Sequence, residues 1–315
     1  MTLAYRDLAL ALLVVSVWGA NFTVIQLGLQ GFPPLLLAAL RYVLALLPAV
    51  VFIARPATPN RFWIGYGLTS GVGQFGCLFY AMHIGMPAGV ASVVLQSQAF
   101  FTILLAAPVL GERITARQLV GMLVAGVGLY LVGASADAHR LAAIPLPAFV
   151  FTMVGALFWG ISNLIIRLAS ADARAHDRDR DLNMLSLVVW SSAIPPIPLL
   201  ALSMALNGPG AMSMATVSWS WMTVFAGCYL AYGATLFAFG TWSRLLADYP
   251  AAKIAPLSLL VPVTGLLTAR VVLGEVLTPK QWIGCILIMT GLILSMLRRR
   301  ARPASIADES SNATH

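Results

Sequence analysis

Amide side chains that interrupt long apolar stretches have the most informative chemistry in this sequence. Asn21 follows Trp18 by three residues, and Asn163 follows Trp159 by four. An amide in hydrocarbon costs free energy unless it finds a hydrogen-bond partner or faces an aqueous cavity. Each asparagine could therefore bind the carboxylate or ammonium group of a small zwitterion, or it could hydrogen-bond a neighbouring helix. The two tryptophans could line the same cavity or anchor the chain at the membrane interface.

Glutamine and tyrosine side chains extend this set of candidates. Gln96 and Gln98 point about 200° apart on a helix of 3.6 residues per turn, so the sequence favours only Gln98 for a cavity. A cavity walled by aromatic rings with a few amides suits small ligands with apolar side chains, although plain packing also explains aromatic residues in a helix bundle. The predicted substrate-binding residues are Trp18, Asn21, Gln74, Tyr80, Gln98, Trp159, Asn163 and Tyr232.

One cation and two prolines complete the candidates. Arg41 is the lone cation inside the predicted spans of the first half, seven residues past Pro34. A charge at that depth costs several kcal/mol unless it snorkels to the outer interface or finds an anion. Both interpretations stay open: snorkelling, or holding the carboxylate of a substrate. Pro256 and Pro262 interrupt the backbone ladder of one predicted helix, so they are candidate hinges.

The sequence lacks the constellations that catalysis or cofactor binding needs. It contains no His-Glu-x-x-His pattern, nucleophile elbow or phosphate-binding loop, and Cys77, Cys228 and Cys285 are isolated within apolar runs. No Asp or Glu falls near the middle of a predicted span, which argues against intramembrane acid–base chemistry. The sequence therefore predicts a protein that is not an enzyme, with no catalytic residues, metal site or cofactor.

Helices that cross a membrane must position these side chains. The 315 residues are 60% hydrophobic and only 10% charged, with a mean hydropathy of +0.88, whereas a soluble domain carries about 25% charged residues. Backbone groups in lipid must bond internally, and continuous apolar runs of roughly 20 residues favour helices over a barrel. Ten spans are predicted, at residues 5–29, 34–54, 62–82, 87–110, 116–134, 146–168, 183–206, 219–243, 252–273 and 279–297.

Basic residues predict the orientation of these spans. Most Lys and Arg fall in segments on the side of the two termini, whereas the loops of the opposite side hold only Arg140 and Lys280. The positive-inside rule therefore places both termini in the cytoplasm. The net charge of +8 comes from these loops and a basic tail, so it does not indicate nucleic-acid binding. Membrane lipid and a small-molecule substrate are the expected partners, and a monomer is the expected state.

An internal repeat is the strongest pattern in the sequence. Residues 109–121 read VLGERITARQLVG and residues 272–284 read VLGEVLTPKQWIG, so seven of thirteen positions are identical at an offset of 163. A repeat of five helices is odd in number, so the second copy must cross the membrane in the opposite direction. The predicted fold is an all-α polytopic membrane protein of two inverted five-helix repeats, at 1–134 and 145–297, with a linker at 135–144 and a disordered cytoplasmic tail at 298–315. Glu112 and Glu275 are expected to cap the helix that follows each of them.

Four stretches resemble the EamA family of the drug/metabolite transporter superfamily: residues 17–22 (VWGANF), 85–89 (GMPAG), 95–102 (LQSQAFFT) and 255–262 (APLSLLVP). The resemblance implies a secondary transporter of the bacterial inner membrane. It would export amino acids and related metabolites, of the cysteine and O-acetylserine type, by alternating access through a central cavity. A multidrug or lipophilic-cation exporter of the same fold is the alternative, although such sites usually provide a buried carboxylate and the sequence shows none.

Overall fold

The computed structural model describes residues 4–134, 144–175, 183–208 and 218–296, which form a bundle of helices without β-strands. The predicted all-α polytopic class is confirmed. The linker up to residue 143, the loop 176–182 and the tail 298–315 lie outside the described residues, so the predictions for them stay predictions. The helices are α1 (Tyr5–Gly28), α2 (Pro34–Phe52), α3 (60–83), α4 (Ala88–Leu110), α5 (Ala116–Gly133), α6 (Leu146–Ala175), α7 (Met184–Ser191), α8 (Pro196–Asn207), α9 (Trp221–Asp248), α10 (251–273) and α11 (Pro279–Met296).

The described helices account for eight spans, or nine. Those long and apolar enough to cross a membrane are α1, α2, α4, α5, α6, α9, α10 and α11. A ninth span forms if α7 and α8 are taken together across their 40° bend, where Pro195 and Pro196 break the helix. The predicted span at 62–82 coincides with α3, but Gly71, Gly73 and Gln74 lower the hydropathy of its centre. The number of ten spans and the side of the termini therefore stay predictions.

Departures from α-helical geometry recur at matching places in the two halves. α3 and α9 each contain a nine-residue π-helical segment, Gly67–Phe75 and Tyr229–Phe237. α4 and α10 each contain a 3₁₀ segment, Leu95–Ser97 and Ala255–Leu260. Such segments often mark hinges or functional sites. Pro256 lies inside the last segment and Pro262 follows two residues after it, so both candidate hinge prolines stand at a break in helix geometry, and motion about them stays a prediction.

α5 and α11 make the most extensive contact between helices in the described bundle. A Cβ atom on Gly121 would lie 2.5 Å from the backbone oxygen of Gly291, and one on Gly128 would lie 2.6 Å from that of Gly284. Small residues allow helices this close an approach in a membrane. The contact is reciprocal, because Gly284 and Gly291 are the repeat equivalents of Gly121 and Gly128 at the offset of 163. We call these four residues the glycine seam.

The repeated Gly-Glu motif follows α4 and α10 in the same conformation. Gly111 and Gly274 both have a φ of +67°, the left-handed region that favours glycine after the last turn of a helix. The expectation that each glutamate caps the next helix is wrong. Thr115 already caps α5 by accepting the N–H of residue 118, and Glu275 instead binds the beginning of α4.

Candidate functional site

A cavity of about 880 Å³ lies between the two halves of the chain. Its wall comes from α1, α2, α3 and α4 of the first half and from α6, α7, α9 and α10 of the second. The volume is typical of small-molecule sites, which measure about 300–1,000 Å³. The structure brings seven of the predicted site residues to this wall: Trp18, Asn21, Arg41, Gln74, Gln98, Trp159 and Asn163.

Arg41 is the most buried cation of the cavity wall. Its side chain is inside the bundle, with only 3% of the residue exposed, so the snorkelling interpretation is wrong. The guanidinium Nε donates to Thr235 Oγ1 of α9 at 3.1 Å, and its carbon lies 3.9 Å from the centre of the Phe75 ring. Nη1 is buried and has no hydrogen-bond partner. A buried donor of this kind costs free energy until an acceptor arrives, so Arg41 is suited to bind an anionic group.

Asn21 supplies a second unsatisfied group on the same wall. The residue is 5% exposed, and its Oδ1 is buried without a hydrogen-bond partner. Trp18, one helical turn before it on α1, donates from Nε1 to the backbone oxygen of Ala234 at 3.1 Å. The indole is therefore fixed in orientation across the two halves, whereas the Oδ1 of the amide beside it has no hydrogen-bond partner.

Asn163 and Gln98 are joined by a hydrogen bond between two helices. Nδ2 of Asn163 on α6 donates to Oε1 of Gln98 on α4 at 2.6 Å, and also to Oγ1 of Thr102 at 3.3 Å. These amides hold α6 and α4 together, as the packing alternative for them required. Gln96 also lines the cavity, although the helical angle favoured only Gln98.

Gln74, Tyr80 and Tyr232 contribute less than the sequence predicts. Gln74 lines the cavity, but Ser70 Oγ donates to its Oε1 at 3.0 Å, and the residue is 3% exposed. Tyr80 is absent from the described lining, because six residues of helix turn it about 120° away from Gln74. Its ring packs on that of Phe151 at 5.0 Å instead. Tyr232 is also absent from the lining and is 41% exposed.

Aromatic residues of α9 complete the cavity wall and were not singled out from the sequence. The rings of Phe239 and Trp242 lie 5.3 and 5.2 Å from that of Trp18, centre to centre. Their spacing of three residues places them on one face of a helix. That spacing was visible in the sequence, but it did not distinguish a cavity wall from ordinary packing.

The charged residues of the cavity wall are cations. Arg41 lies at its buried end, and Arg174 lies at the end of α6, where Nε donates to the backbone oxygen of Ser170 at 3.1 Å. The described lining includes no Asp or Glu. Within the described ranges there is also no group of three His, Cys, Asp or Glu side chains that could hold a metal ion. The site therefore favours an anionic group and offers a cation no lining carboxylate.

Comparisons with known proteins agree with this architecture. The EamA-like transporter family matches residues 7–134 and 146–297. The chain is 43% identical to a probable amino-acid metabolite efflux pump of Salmonella typhimurium over 94% of its length and 97% of that protein. It is also 43% identical to the protein of the same description in Escherichia coli, over 95% of its length and 97% of that protein. A probable terminal-alkyne amino-acid exporter of Streptantibioticus cattleyicolor is 28% identical, over 96% and 97% of the two chains.

A solved crystal structure shares the fold, with a TM-score of 0.57 at 20% identity, covering 92% of this chain and 96% of the other. The family match covers most of both halves, and its members are transporters rather than enzymes. Together with the eight candidate spans, this makes the chain a multi-pass protein of the inner membrane. The chain belongs to the EamA-like transporter family.

Proposed function

We propose that this protein exports amino acids and related metabolites by alternating access, with the cavity between its halves as the substrate site. The observation that carries the proposal is Arg41, a cavity cation whose Nη1 is buried and unpartnered. A substrate carboxylate supplies the acceptor that this donor lacks. An Arg–carboxylate pair is charge-assisted and can be bidentate, so it fixes the orientation of the substrate as well as binding it.

The rest of the wall suits the remaining parts of an amino acid. The unpartnered Oδ1 of Asn21 can accept a hydrogen bond from an ammonium group. Trp18, Trp159 and the aromatic residues of α9 present ring surface to the side chain. Ring surface asks little of side-chain identity, which supports a permissive exporter rather than one selective for a single amino acid.

The position of the cavity supports loading from the cytoplasm. Its lining continues to Arg174 at the end of α6 and to Leu246 near the end of α9. Both helix ends lie on the side that the basic residues predict to be cytoplasmic. The reciprocal glycine seam supports two inverted halves, which can exchange conformations and so open the site to either side. One chain encloses the whole cavity, so a monomer suffices.

The names of three similar proteins support amino acids as the substrate class. Two of them are named as probable amino-acid metabolite efflux pumps, and a third as a probable terminal-alkyne amino-acid exporter. The mechanism is expected to be secondary transport, since the sequence carries no nucleotide-binding motif.

The test is transport by purified protein in liposomes, with and without an imposed pH gradient. A panel of labelled amino acids, including cysteine and O-acetylserine, should enter faster than into protein-free liposomes. Acceleration by the gradient would indicate proton coupling. Failure across the panel would contradict the proposal. Transport of lipophilic cations without competition from amino acids would favour the alternative cargo, although the charged residues of the cavity wall are themselves cations.

A further inference from the structure

Two glutamates at equivalent positions of the repeat have different partners in the structure. Glu275, in the turn after α10, accepts hydrogen bonds from the backbone N–H groups of Ala88 at 2.7 Å and Gly89 at 2.9 Å. These are the first two residues of α4, where N–H groups have no partner within the helix and favour an anion. A carboxylate of the second half thus holds the beginning of a helix of the first half.

Glu112 is the repeat equivalent of Glu275 at the offset of 163, but its carboxylate is bound elsewhere. It pairs with the guanidinium of Arg167 on α6, where Nη1 lies 3.1 Å from Oε2. The Glu112 side chain is 48% exposed. The equivalents of the two N–H donors bound by Glu275 are Ala251 and Ala252, the first two residues of α10. The same motif is therefore in two different states in one structure.

We propose that Glu112 and Glu275 are alternating latches of the transport cycle, an inference that rests on the alternating access proposed above. In the state described here, Glu275 holds α4 against α10 and keeps the outer side closed. In the opposite state, Glu112 leaves Arg167 and binds the N–H groups of Ala251 and Ala252, which closes the cytoplasmic side. Glu275 then releases α4.

The packing of α4 on α10 beside Glu275 has an equivalent set of residues in the other half of the repeat. A Cβ atom on Gly89 would lie 3.1 Å from Leu266 and 3.3 Å from Ala269, so the beginning of α4 packs directly on α10. The repeat equivalents of those two α10 residues are Ile103 and Ala106 of α4. α4 therefore offers α10 an apolar face of similar size when the second latch closes.

Arg167 gives the open latch a resting partner. Without it, Glu112 would have only water to bind while α10 is out of reach. Exposed ion pairs contribute little free energy, whereas hydrogen bonds from a helix terminus to a carboxylate contribute more. Glu112 can therefore leave the arginine at small cost when the cytoplasmic side closes.

The test measures access to the two sides in single-cysteine variants. Cys77, Cys228 and Cys285 are first replaced by alanine. Ser92→Cys then reports the outer contact, because Ser92 is 1% exposed beneath it and donates to the backbone oxygen of Gly89. Ser258→Cys reports the cavity wall near the cytoplasmic side. Labelling rates with a membrane-impermeant maleimide, applied to each side of oriented vesicles, give the ratio of the two states.

The proposal requires that Glu112→Gln and Arg167→Gln, which remove the two partners of one ion pair, shift the labelling ratio in opposite directions. Glu275→Gln should raise the ratio of outer to cytoplasmic labelling about tenfold, since it weakens the closed outer latch by about one charge-assisted hydrogen bond. Glu112→Gln should lower the ratio, because the outward state loses its latch and the inward state loses only an exposed pair. Arg167→Gln should raise it by up to about fivefold.

A shift in the same direction from Glu112→Gln and Arg167→Gln would overturn the latch, because that is the result of a purely structural ion pair. An unchanged ratio in Glu275→Gln would overturn it too. Asp248→Asn is the matched control, since it removes an exposed carboxylate paired with Arg244, and should leave the ratio unchanged.

Transport by the same vesicles separates this inference from the proposed substrate class. If the ratios shift as stated and no amino acid is carried, the latch stands and the substrate class is wrong. If amino acids are carried and the ratios do not move, the exporter stands and the latch is wrong.

Discussion

Replacing Arg41 by methionine separates a binding role from a structural one. Methionine fills part of the same space without a charge. Thr235 loses the donor at 3.1 Å, but its hydroxyl still donates to the backbone oxygen of Leu230 at 2.8 Å. Removing a buried charge that has no anionic partner is often neutral or stabilising. We therefore expect the melting temperature of the detergent-solubilised variant to be unchanged or higher.

The magnitude of the effect on transport follows from the contact that is lost. A hydrogen bond between charged groups contributes about 1.5–3 kcal/mol, and each 1.4 kcal/mol corresponds to a factor of about ten. The KM for an amino acid should therefore rise about 10- to 150-fold in Arg41→Met. Initial rates of uptake into proteoliposomes, measured against substrate concentration, give this value. Esterifying the substrate carboxylate should abolish the difference between the wild-type protein and the variant.

Two further variants control the experiment. Arg41→Lys keeps the charge but loses the planar fork that matches a carboxylate, so its KM should be intermediate. Arg61→Met removes an arginine whose ion pair with Asp172 leaves its side chain 69% exposed, so its KM should not change. An unchanged KM in Arg41→Met, together with a clear fall in melting temperature, would refute the reasoning and assign Arg41 a structural role.

Three other outcomes are expected. Gly121→Ala should lower the melting temperature, because its Cβ would meet a backbone oxygen of α11 at 2.5 Å. Gly126→Ala on the same helix is the control: its Cβ meets nothing within 4 Å, so it should not destabilise the protein. Asn21→Leu should raise the KM for amino acids. Asn163→Leu should mainly lower the free energy of unfolding, by about 0.6–1.7 kcal/mol, because it breaks the hydrogen bond between α6 and α4. Equal effects of the two variants on KM would contradict these different roles. The hydrogen bond from Arg167 lowers the pKa of Glu112 from its ordinary value, so the ion pair is intact near neutral pH and is lost only as the pH falls through that lowered value. The ratio of Ser92→Cys to Ser258→Cys labelling, in which the thiolate fraction common to both reporters cancels, should therefore be constant from about pH 5 to 8.

Much of the fold could be predicted because it follows from local sequence. Continuous apolar runs require helices in lipid, and the described residues form helices without β-strands. The two copies of the repeated motif also share one conformation, with a φ of +67° at both Gly111 and Gly274. The deepest site residue, Arg41, was identifiable because a cation within an apolar run is costly wherever it lies.

The rest of the site depends on packing that the sequence does not determine. Asn21 and Asn163 occupy similar positions in the two halves, yet one is unpartnered and the other is hydrogen-bonded, because α1 and α6 meet different neighbours. The angle between side chains on an ideal helix gave the wrong prediction for Gln96, which lines the cavity together with Gln98. The partner of Glu275 lies 187 positions away, too far for a rule about caps of adjacent helices to find.

The glycine seam has a consequence for assembly. Each half carries on its own last helix the close-packing surface that contacts the other half, and a peptide link joins the two halves between residues 134 and 144. A gene cut within that link should therefore yield two polypeptides that associate in the bilayer and restore transport when co-expressed. Bulky side chains at positions 121 and 128 of one fragment should abolish that complementation.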